Sequence, residues 1–531
     1  MRHHAFHRIW QLGLALLTAA VLAACQTAPV AQNPVTDMRT PMVQPGGSTE
    51  SFWRERVVYP FDVQYATVED DRGMAYEIAY MDEYRGDDPE NARVLVLVHG
   101  KGSNAGSFSL LMRDALEAGL RVISFDIPHY GKSIPGNLDP ATYDRTLQDT
   151  REAVQRLLVD ELGVTSATHM GHSMGGQWSL GYALTWPEQV DKLILVAPSG
   201  LEEYPRALQL PGGELPWMDP AYKRDFDTWK QVWEPLGRLD QERAMTEQAV
   251  RDFYYFQQTD PETGEVSRAD VGFFLNDSID AQFLTETRVG MIDGHPEEYE
   301  AWVIAFVRDI YTMGIELNRE DPDSLVKRLG ELEMPVAILF GEEDPLIPTT
   351  AVTGNQDVRW DLVRPAWEKL SERGASPAVK FYDGAAHFPH VDVPDAFNAD
   401  IIRFTESGRL NRPTEDPARY QEPAAELPES LQAFLESDQE AMMSRDIDAV
   451  MEHYHPDYRD DGRDFRAQRE FLRQIIPMLQ SYEVDITGLE MDGDKAIVEG
   501  AVITNFGTQR LPRGAMLIQK DGHWYWYGNQ R

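Results

Sequence analysis

"ATHMGHSMGGQW", Ala167 to Trp178, holds a single serine flanked at two residues' distance by Gly171 and Gly175. A hairpin turn here would carry Asn-Gly or Asp-Gly, and a phosphate-binding loop would carry Lys after its last glycine. Neither is present. Ala167–His172 reads as a buried strand, and the "GQWSLGYALTW" that follows reads as a helix. Ser173 therefore falls at the tip of a tight strand-to-helix turn. Such a turn forces strained backbone geometry on the serine and lifts its hydroxyl above the sheet. The glycines two residues away are needed because side chains there would strike the adjoining strand and helix.

Working outward, the same style of strand recurs. "RVLVLVHG" (Arg93–Gly100) is a continuous apolar run stopped by glycine, as buried parallel strands are. "RVISFDIP" (Arg121–Pro128), "KLILVAPSG" (Lys192–Gly200), "PVAILFGEED" (Pro335–Asp344) and "AVKFYDG" (Ala378–Gly384) repeat it. Helical stretches lie between, such as Thr146–Leu162 with Val154, Leu157 and Leu158 on its apolar face. Strands alternating with helices predict an α/β fold, a doubly wound and mostly parallel sheet covered on both faces. Ligands of such sheets sit at the carboxyl ends of the strands, where Ser173 lies.

The serine turn resembles the nucleophile elbow of the α/β-hydrolase family, and the resemblance spans about residues 51–410. The family's order of Ser, then acid, then His can be followed along this chain. "GEEDPLIP" matches the family's acid motif at Gly341, Asp344 and Pro348, and "GAAHFPHVDVP" matches its histidine motif at Gly384, His387 and Pro389. The resemblance implies a serine hydrolase with a Ser173–His387–Asp344 triad. A serine hydroxyl is a poor nucleophile at neutral pH until a base takes its proton. Glu342 and Glu343 are rival acids that match no family position, and His390 is a rival base just beyond the motif. A helix at about Val358–Arg373 fills the long gap between acid and histidine.

Acyl transfer also needs backbone donors for the oxyanion. One is expected to be the N–H of Met174, directly after the nucleophile. The other comes from "HGKGSN", with Lys101 N–H first and Gly102 second. His99 reads as structural, and His169 and His172 as packing or hydrogen-bonded residues. "DIPHYGKS" (Asp126–Ser133) resembles a family loop but carries His129 where glycine is usual, a change that would narrow the way in or mean nothing. Serine in place of aspartate at the elbow disfavours haloalkane dehalogenase and epoxide hydrolase chemistry. No H-E-x-x-H or cysteine cluster suggests a metal, and no cofactor is expected.

From about Leu201 to Gly330 the rhythm of buried strands stops. This acidic, helical, aromatic-rich stretch is too long for a loop and is read as a helical cap inserted at residues 201–330. Its aromatics, Trp229, Trp233, Phe253, Tyr254, Phe273 and Phe274 among them, suit an apolar acyl or aryl substrate, although such residues also simply build cores. The expected activity is ester hydrolysis through an acyl-enzyme. Carbon–carbon bond hydrolysis by the same triad is the alternative within the class, and a binding or scaffolding lipoprotein without catalysis is the alternative outside it.

Residues 411–426 form a Pro-rich linker, and 427–531 a second domain. That domain begins with a helix (Leu431, Phe434, Leu435, Met442) and continues as alternating strands with Asp-Gly turns, "DGDKAIVEGAVITNF" and "KDGHWYWYG". With "DIDAVMEHYHPDY" it is similar to the nuclear transport factor-like (SnoaL-type) cone, an α+β fold. His453, His455 and Asp457 could be pocket residues, but capping and surface roles are favoured. The cone offers a concavity for a ligand or for self-association.

The amino terminus is a separate object. Arg2 and Arg8 precede "IWQLGLALLTAAVLAA", too short to span a bilayer comfortably, and the run ends in "LAAC". Residues 1–24 thus resemble a lipoprotein signal peptide, with Cys25, the only cysteine, as the lipid-bearing residue. Residues 25–50 read as a disordered tether. Gln26 after the cysteine, rather than Asp, points to an outer-membrane anchor facing the periplasm. The charge of −39 argues against nucleic-acid partners, because so acidic a surface repels phosphate.

Overall fold

The computed structural model describes residues 37–46, 50–134, 145–204, 238–255, 257–259, 266–268, 272–319, 321–349, 353, 355, 357–373, 377–420, 427–460, 462–512 and 514–530. Its main sheet has eight strands: β1 (Gln64–Glu69), β2 (Ala75–Glu83), β3 (Val94–Val98), β4 (Arg121–Phe125), β5 (Ala167–His172), β6 (Val190–Val196), β7 (Val336–Gly341) and β8 (Ala378–Tyr382). They lie in the order β8-β7-β6-β5-β3-β4-β2-β1. The six strands from β8 to β4 run parallel, whereas β2 pairs antiparallel with both β4 and β1. Every residue of β3, β5 and β7 is buried. Strands enclosed on both faces favour apolar residues throughout, which is why β3 and β7 stand out in the sequence as unbroken apolar runs, whereas β5 buries Thr168, His169 and His172 as well. Each fully buried Val, Leu or Ile contributes about 1.5–3 kcal/mol.

Two packed helix groups supply the cover. Helix α1 (Ser109–Glu117) lies against the helix at Pro394–Ser407, and α2 (Leu147–Arg156) lies against α3 (Met174–Thr185). Thr146 and Asp149 form a reciprocal capping box at the start of α2, which satisfies two otherwise orphaned donors. The helix expected to bridge Asp344 and His387 is present as Val358–Ser371, its first turn wound as a π-helix.

Between β6 and β7 the described chain contains the helices α4 (Glu247–Tyr254), α5 (Ile279–Gly294) and α6 (Pro296–Glu316), two shorter ones at Arg238–Arg243 and Leu325–Arg328, and a short antiparallel pair, Gln257–Thr259 with Val266–Arg268. Trp229 and Trp233 fall outside the described residues. A buried ion pair ties α6 to the residue that leads into α2 and, through it, to the loop after β4. Arg145 Nη1 donates to Asp309 Oδ1 at 2.9 Å, and its Nε donates to His129 Nδ1 at 2.8 Å. Tyr130 also donates its hydroxyl to Asp309 at 2.8 Å. This accounts for His129. It does adopt the left-handed backbone the usual glycine would, with φ 76°, and its buried ring is spent on Arg145 rather than on the way in.

The carboxy-terminal module has its own apolar core, including Leu431, Val450, Leu472, Leu517 and Trp526. Helices at Glu429–Ser444, Ile447–Met451 and Phe465–Ile475 precede a five-stranded antiparallel sheet built from Tyr482–Asp492, Lys495–Thr504, Gly507–Arg510, Met516–Lys520 and His523–Trp526. The last hairpin turns at Asp521 and Gly522, both at positive φ, as a two-residue Asp-Gly turn requires.

Candidate functional site

Four loops meet above the carboxyl ends of parallel strands: the turn after β3, the elbow after β5, the loop after β7 and the loop after β8. Ser173 occupies the elbow at φ 56° and ψ −122°, a conformation that costs a non-glycine residue on the order of 1–3 kcal/mol. It is held there from both sides. Its N–H donates to Val196 O at 2.9 Å, and its carbonyl accepts from Gly176 N at 2.8 Å. The neighbouring glycines are sterically required. A β-carbon on Gly171 would lie 2.0 Å from Gly175 O, and one on Gly175 would lie 2.3 Å from Val98 O.

The same closeness locates the first turn. A β-carbon on Gly100 would fall 2.9 Å from the Ser173 β-carbon, so the main chain entering Lys101 runs directly beside the serine. Met174 opens α3, where first-turn N–H groups have no helical acceptor. The turn is fixed from below by two buried groups. His99 Nε2 accepts the Ile127 N–H at 3.0 Å while Nδ1 meets Gly100 O at 2.8 Å, which sets the Nδ1–H tautomer. Burial pushes this imidazole down to about 4. Asp126, raised to about 6 by burial, accepts from Ala105 N, Lys132 N and the Tyr59 hydroxyl.

His387 and Asp344 are joined. His387 Nδ1 lies 2.9 Å from Asp344 Oδ2, with both side chains buried. The other carboxylate oxygen accepts the Leu346 and Ile347 N–H groups at 2.8 and 3.1 Å. The rival acids are elsewhere: Glu342 and Glu343 are exposed, and Glu342 pairs with Arg359 at 2.6 Å.

The partners of two groups at the histidine loop escaped the sequence. His172, read there as packing or hydrogen-bonded, places its Nε2 2.8 Å from His387 O, so it donates to that carbonyl and positions the loop. Burial, and then the neighbouring His387 and His390 rings, hold it well below the ordinary histidine range, and it is neutral. Asp392 accepts Ala386 N through Oδ2 at 2.9 Å, and Leu275 and Asn276 N–H through Oδ1 at 2.8 and 2.9 Å. One carboxylate thereby fastens the residues before α5 to the residue before His387. An acid inside the otherwise apolar "FPHVDVP" was the available signal.

A cavity of about 320 Å³ joins these parts. Lys101, Ser173 and His387 line one side of it, and Phe253, Tyr254 and Trp302 line the side facing them from the inserted helices. Arg288 also reaches it. Its guanidinium stacks 3.4 Å over the Trp302 ring, and Nη2 bonds Glu242 at 3.0 Å. The buried Nη1 has no hydrogen-bond partner among the described residues.

His390 is not on this cavity. Its ring is buried among Phe108, Phe388, Phe397 and His172, and neither nitrogen is hydrogen-bonded among the described residues. Burial lowers it to about 3. Its folded value is depressed, so the unfolded chain binds a proton that the native chain refuses. Stability from this group is present above about pH 6.5 and is lost, by about 1.4 kcal/mol per pH unit, as pH falls toward 3. His390→Phe is expected to keep most turnover and to flatten the acid side of a melting-temperature profile by that one proton. A loss of turnover comparable to that of His387→Ala would make His390 the base.

In the carboxy-terminal module, His453 bonds Ser437 Oγ and Ala449 O, and His455 Nδ1 accepts Asp457 N. These are local structural contacts, and none of the three residues lines the cavity of that module. Cys25 and the segment around it lie outside the described residues.

The family model of the alpha/beta hydrolase fold matches residues 93–358, half of the chain, and the chain belongs to that family. Among curated proteins it is similar to the 2-hydroxy-6-oxononadienedioate/2-hydroxy-6-oxononatrienedioate hydrolases of Escherichia coli, with 33% identity over 130 residues. That stretch is 24% of this chain and spans only 42% of those relatives' length. Among solved structures, a probable hydrolytic enzyme from Pseudomonas aeruginosa shares 24% identity at a TM-score of 0.47, over 67% of this chain and 97% of that one. An esterase from Exiguobacterium antarcticum and a 2-hydroxy-6-oxo-6-phenylhexa-2,4-dienoate hydrolase from Rhodococcus each share 18% identity, at TM-scores of 0.40 and 0.39. Each likeness covers 65% of this chain and all of the other.

Proposed function

We propose that this hydrolase cleaves carboxylic esters of apolar acyl or aryl substrates through an acyl-enzyme on Ser173. The observation that carries the reading is that Ser173 and His387 share one largely apolar cavity while His387 is bonded to a firmly held Asp344. His387 Nε2 takes the Ser173 proton as Oγ attacks the ester carbonyl, and Asp344 holds the imidazole in the Nδ1–H tautomer and supports its positive charge. The Lys101 and Met174 N–H groups receive the oxyanion. The proton then passes to the leaving alcohol, and water, activated by the same histidine, releases the acid. A panel of p-nitrophenyl esters of rising chain length tests this. Turnover should rise from acetate to medium chains that fill a cavity of about 320 Å³ and fall beyond them. No turnover of any member would discard the ester reading.

One observation favours a second reading. Nη1 of Arg288, which has no hydrogen-bond partner among the described residues, gives the cavity a buried cationic donor that a simple alkyl ester would leave unused. The curated relatives are named for dienedioates, whose carboxylates would use it. Carbon–carbon hydrolysis of such an acid by the same triad would appear as turnover of a ring-fission dienoate exceeding that of every ester in the panel.

The amino terminus supports anchoring by lipid at Cys25, in the outer membrane facing the periplasm. Metabolic labelling with a fatty-acid analogue is expected to tag the wild type and not Cys25→Ser. Untagged wild-type protein in the soluble periplasm would make the segment an ordinary secretory signal. The carboxy-terminal module is read as a SnoaL-type cone with a binding rather than a catalytic part.

A further inference from the structure

The carboxy-terminal module contains a cavity of about 420 Å³, larger than the one over Ser173. Its floor is made by buried residues, Tyr454, Leu472, Tyr482 and Trp526, whereas Phe471, Met478 and Phe506 line it while remaining exposed and so form its rim. A hollow of this size forfeits the contacts that would otherwise fill it, a cost a module built only for its own stability has no reason to bear.

The polar side of the cavity has a defined direction. Arg463 donates to Gln468 Oε1 at 3.2 Å, which turns the amide nitrogen of Gln468 toward Tyr454, where it donates to the hydroxyl at 3.4 Å. Tyr454 is therefore the acceptor in that bond, and its own proton has no acceptor among the described residues. Tyr482 differs, since its proton goes to Asp438 Oδ2 at 2.9 Å. Besides Tyr454, the guanidinium groups of Arg463 and Arg510 line the cavity. The lining carboxylate, Asp460, accepts the Asn529 N–H at 3.2 Å. Arg463 thus brings a cationic donor, and Tyr454 a hydroxyl, to the same wall.

We propose that this cavity binds a medium-sized amphipathic carboxylic acid, its carboxylate on the Tyr454 hydroxyl and the Arg463 guanidinium and its apolar tail between Leu472, Tyr482 and Trp526. A carboxylate offers only acceptors, and offers them with charge, which matches a wall of O–H and N–H donors. The proposal stands on this module alone and does not depend on which bond Ser173 chemistry breaks.

Titration calorimetry of the full chain with octanoate and with 1-octanol tests it. Octanoate is expected to bind at least about tenfold more tightly than the alcohol. Tyr454→Phe and Arg463→Gln should each weaken octanoate by about tenfold and leave octanol nearly unchanged. The first variant removes one oxygen and the second lies on the exposed rim, so circular dichroism should show both folded. Equal affinity for acid and alcohol would overturn the proposal without recourse to any variant. So would wild-type octanoate affinity in both variants. Absence of binding, together with a dimer that Phe506→Asp dissociates, would overturn it in favour of a second copy seated on the rim.

Discussion

Ser173→Ala is expected to lower kcat/KM for a small ester by about 10⁴-fold or more and to abolish labelling by a fluorophosphonate probe. The substitution removes one oxygen and nothing that holds the elbow. The bonds from Ser173 N to Val196 O and from Gly176 N to Ser173 O are made by the main chain, and the approach of Gly100 is to the β-carbon, which alanine retains. Alanine meets the same positive φ as serine, so its melting temperature should match the wild type closely. Loss of chemistry with preserved folding would then report the hydroxyl alone. Labelling that survives in Ser173→Ala would place the nucleophile elsewhere and void the triad.

Asp344→Asn should cost nearly as much, about 10⁴-fold in kcat, through a proton rather than a missing group. The amide has two orientations, and the loop selects between them. Leu346 and Ile347 N–H groups both point at Oδ1, so an asparagine must keep its oxygen there and turn its NH₂ toward His387 Nδ1. Two donors cannot face each other. The imidazole must carry its proton on Nε2 instead, where the lone pair that accepts the serine proton is needed. Binding of a substrate-like ester should change little, so KM holds while kcat falls. Retained kcat in Asp344→Asn would mean that another group orients the base, and Glu202, buried and raised to about 7, would be the first residue to examine.

The parallel strands, the Ser173 turn and the Asp344 and His387 positions that the structure joins were legible because each is announced locally. Enclosure on both faces writes β3 and β7 as apolar runs, and the family motifs are set by spacing within a few residues. Strands β1 and β2 were not read. β1 is half exposed and polar, with no apolar run to mark it, and β2 is interrupted by Glu77 and Asp82. The contacts of His172 with His387, of Asp392 with Leu275 and of Arg288 with the cavity join residues far apart in sequence. No periodicity records such a pairing, because each partner is satisfied only in the folded chain. His129 shows the converse case. Its departure from glycine was visible, but its reason, a bond from Arg145, was not.

The buried link from His129 through Arg145 to Asp309 bears on how freely the inserted helices can be exchanged among related proteins. Arg145 belongs to the sheet-forming half of the chain and Asp309 to α6, yet neither side chain is exposed by more than 1%. A chimaera that imported foreign helices without an acid at the position of Asp309 would strand a guanidinium in the interior, at about 3–5 kcal/mol. That is a large fraction of a typical domain's total stability. Arg145 and Asp309 therefore form one unit, which any exchange of the inserted helices has to keep intact.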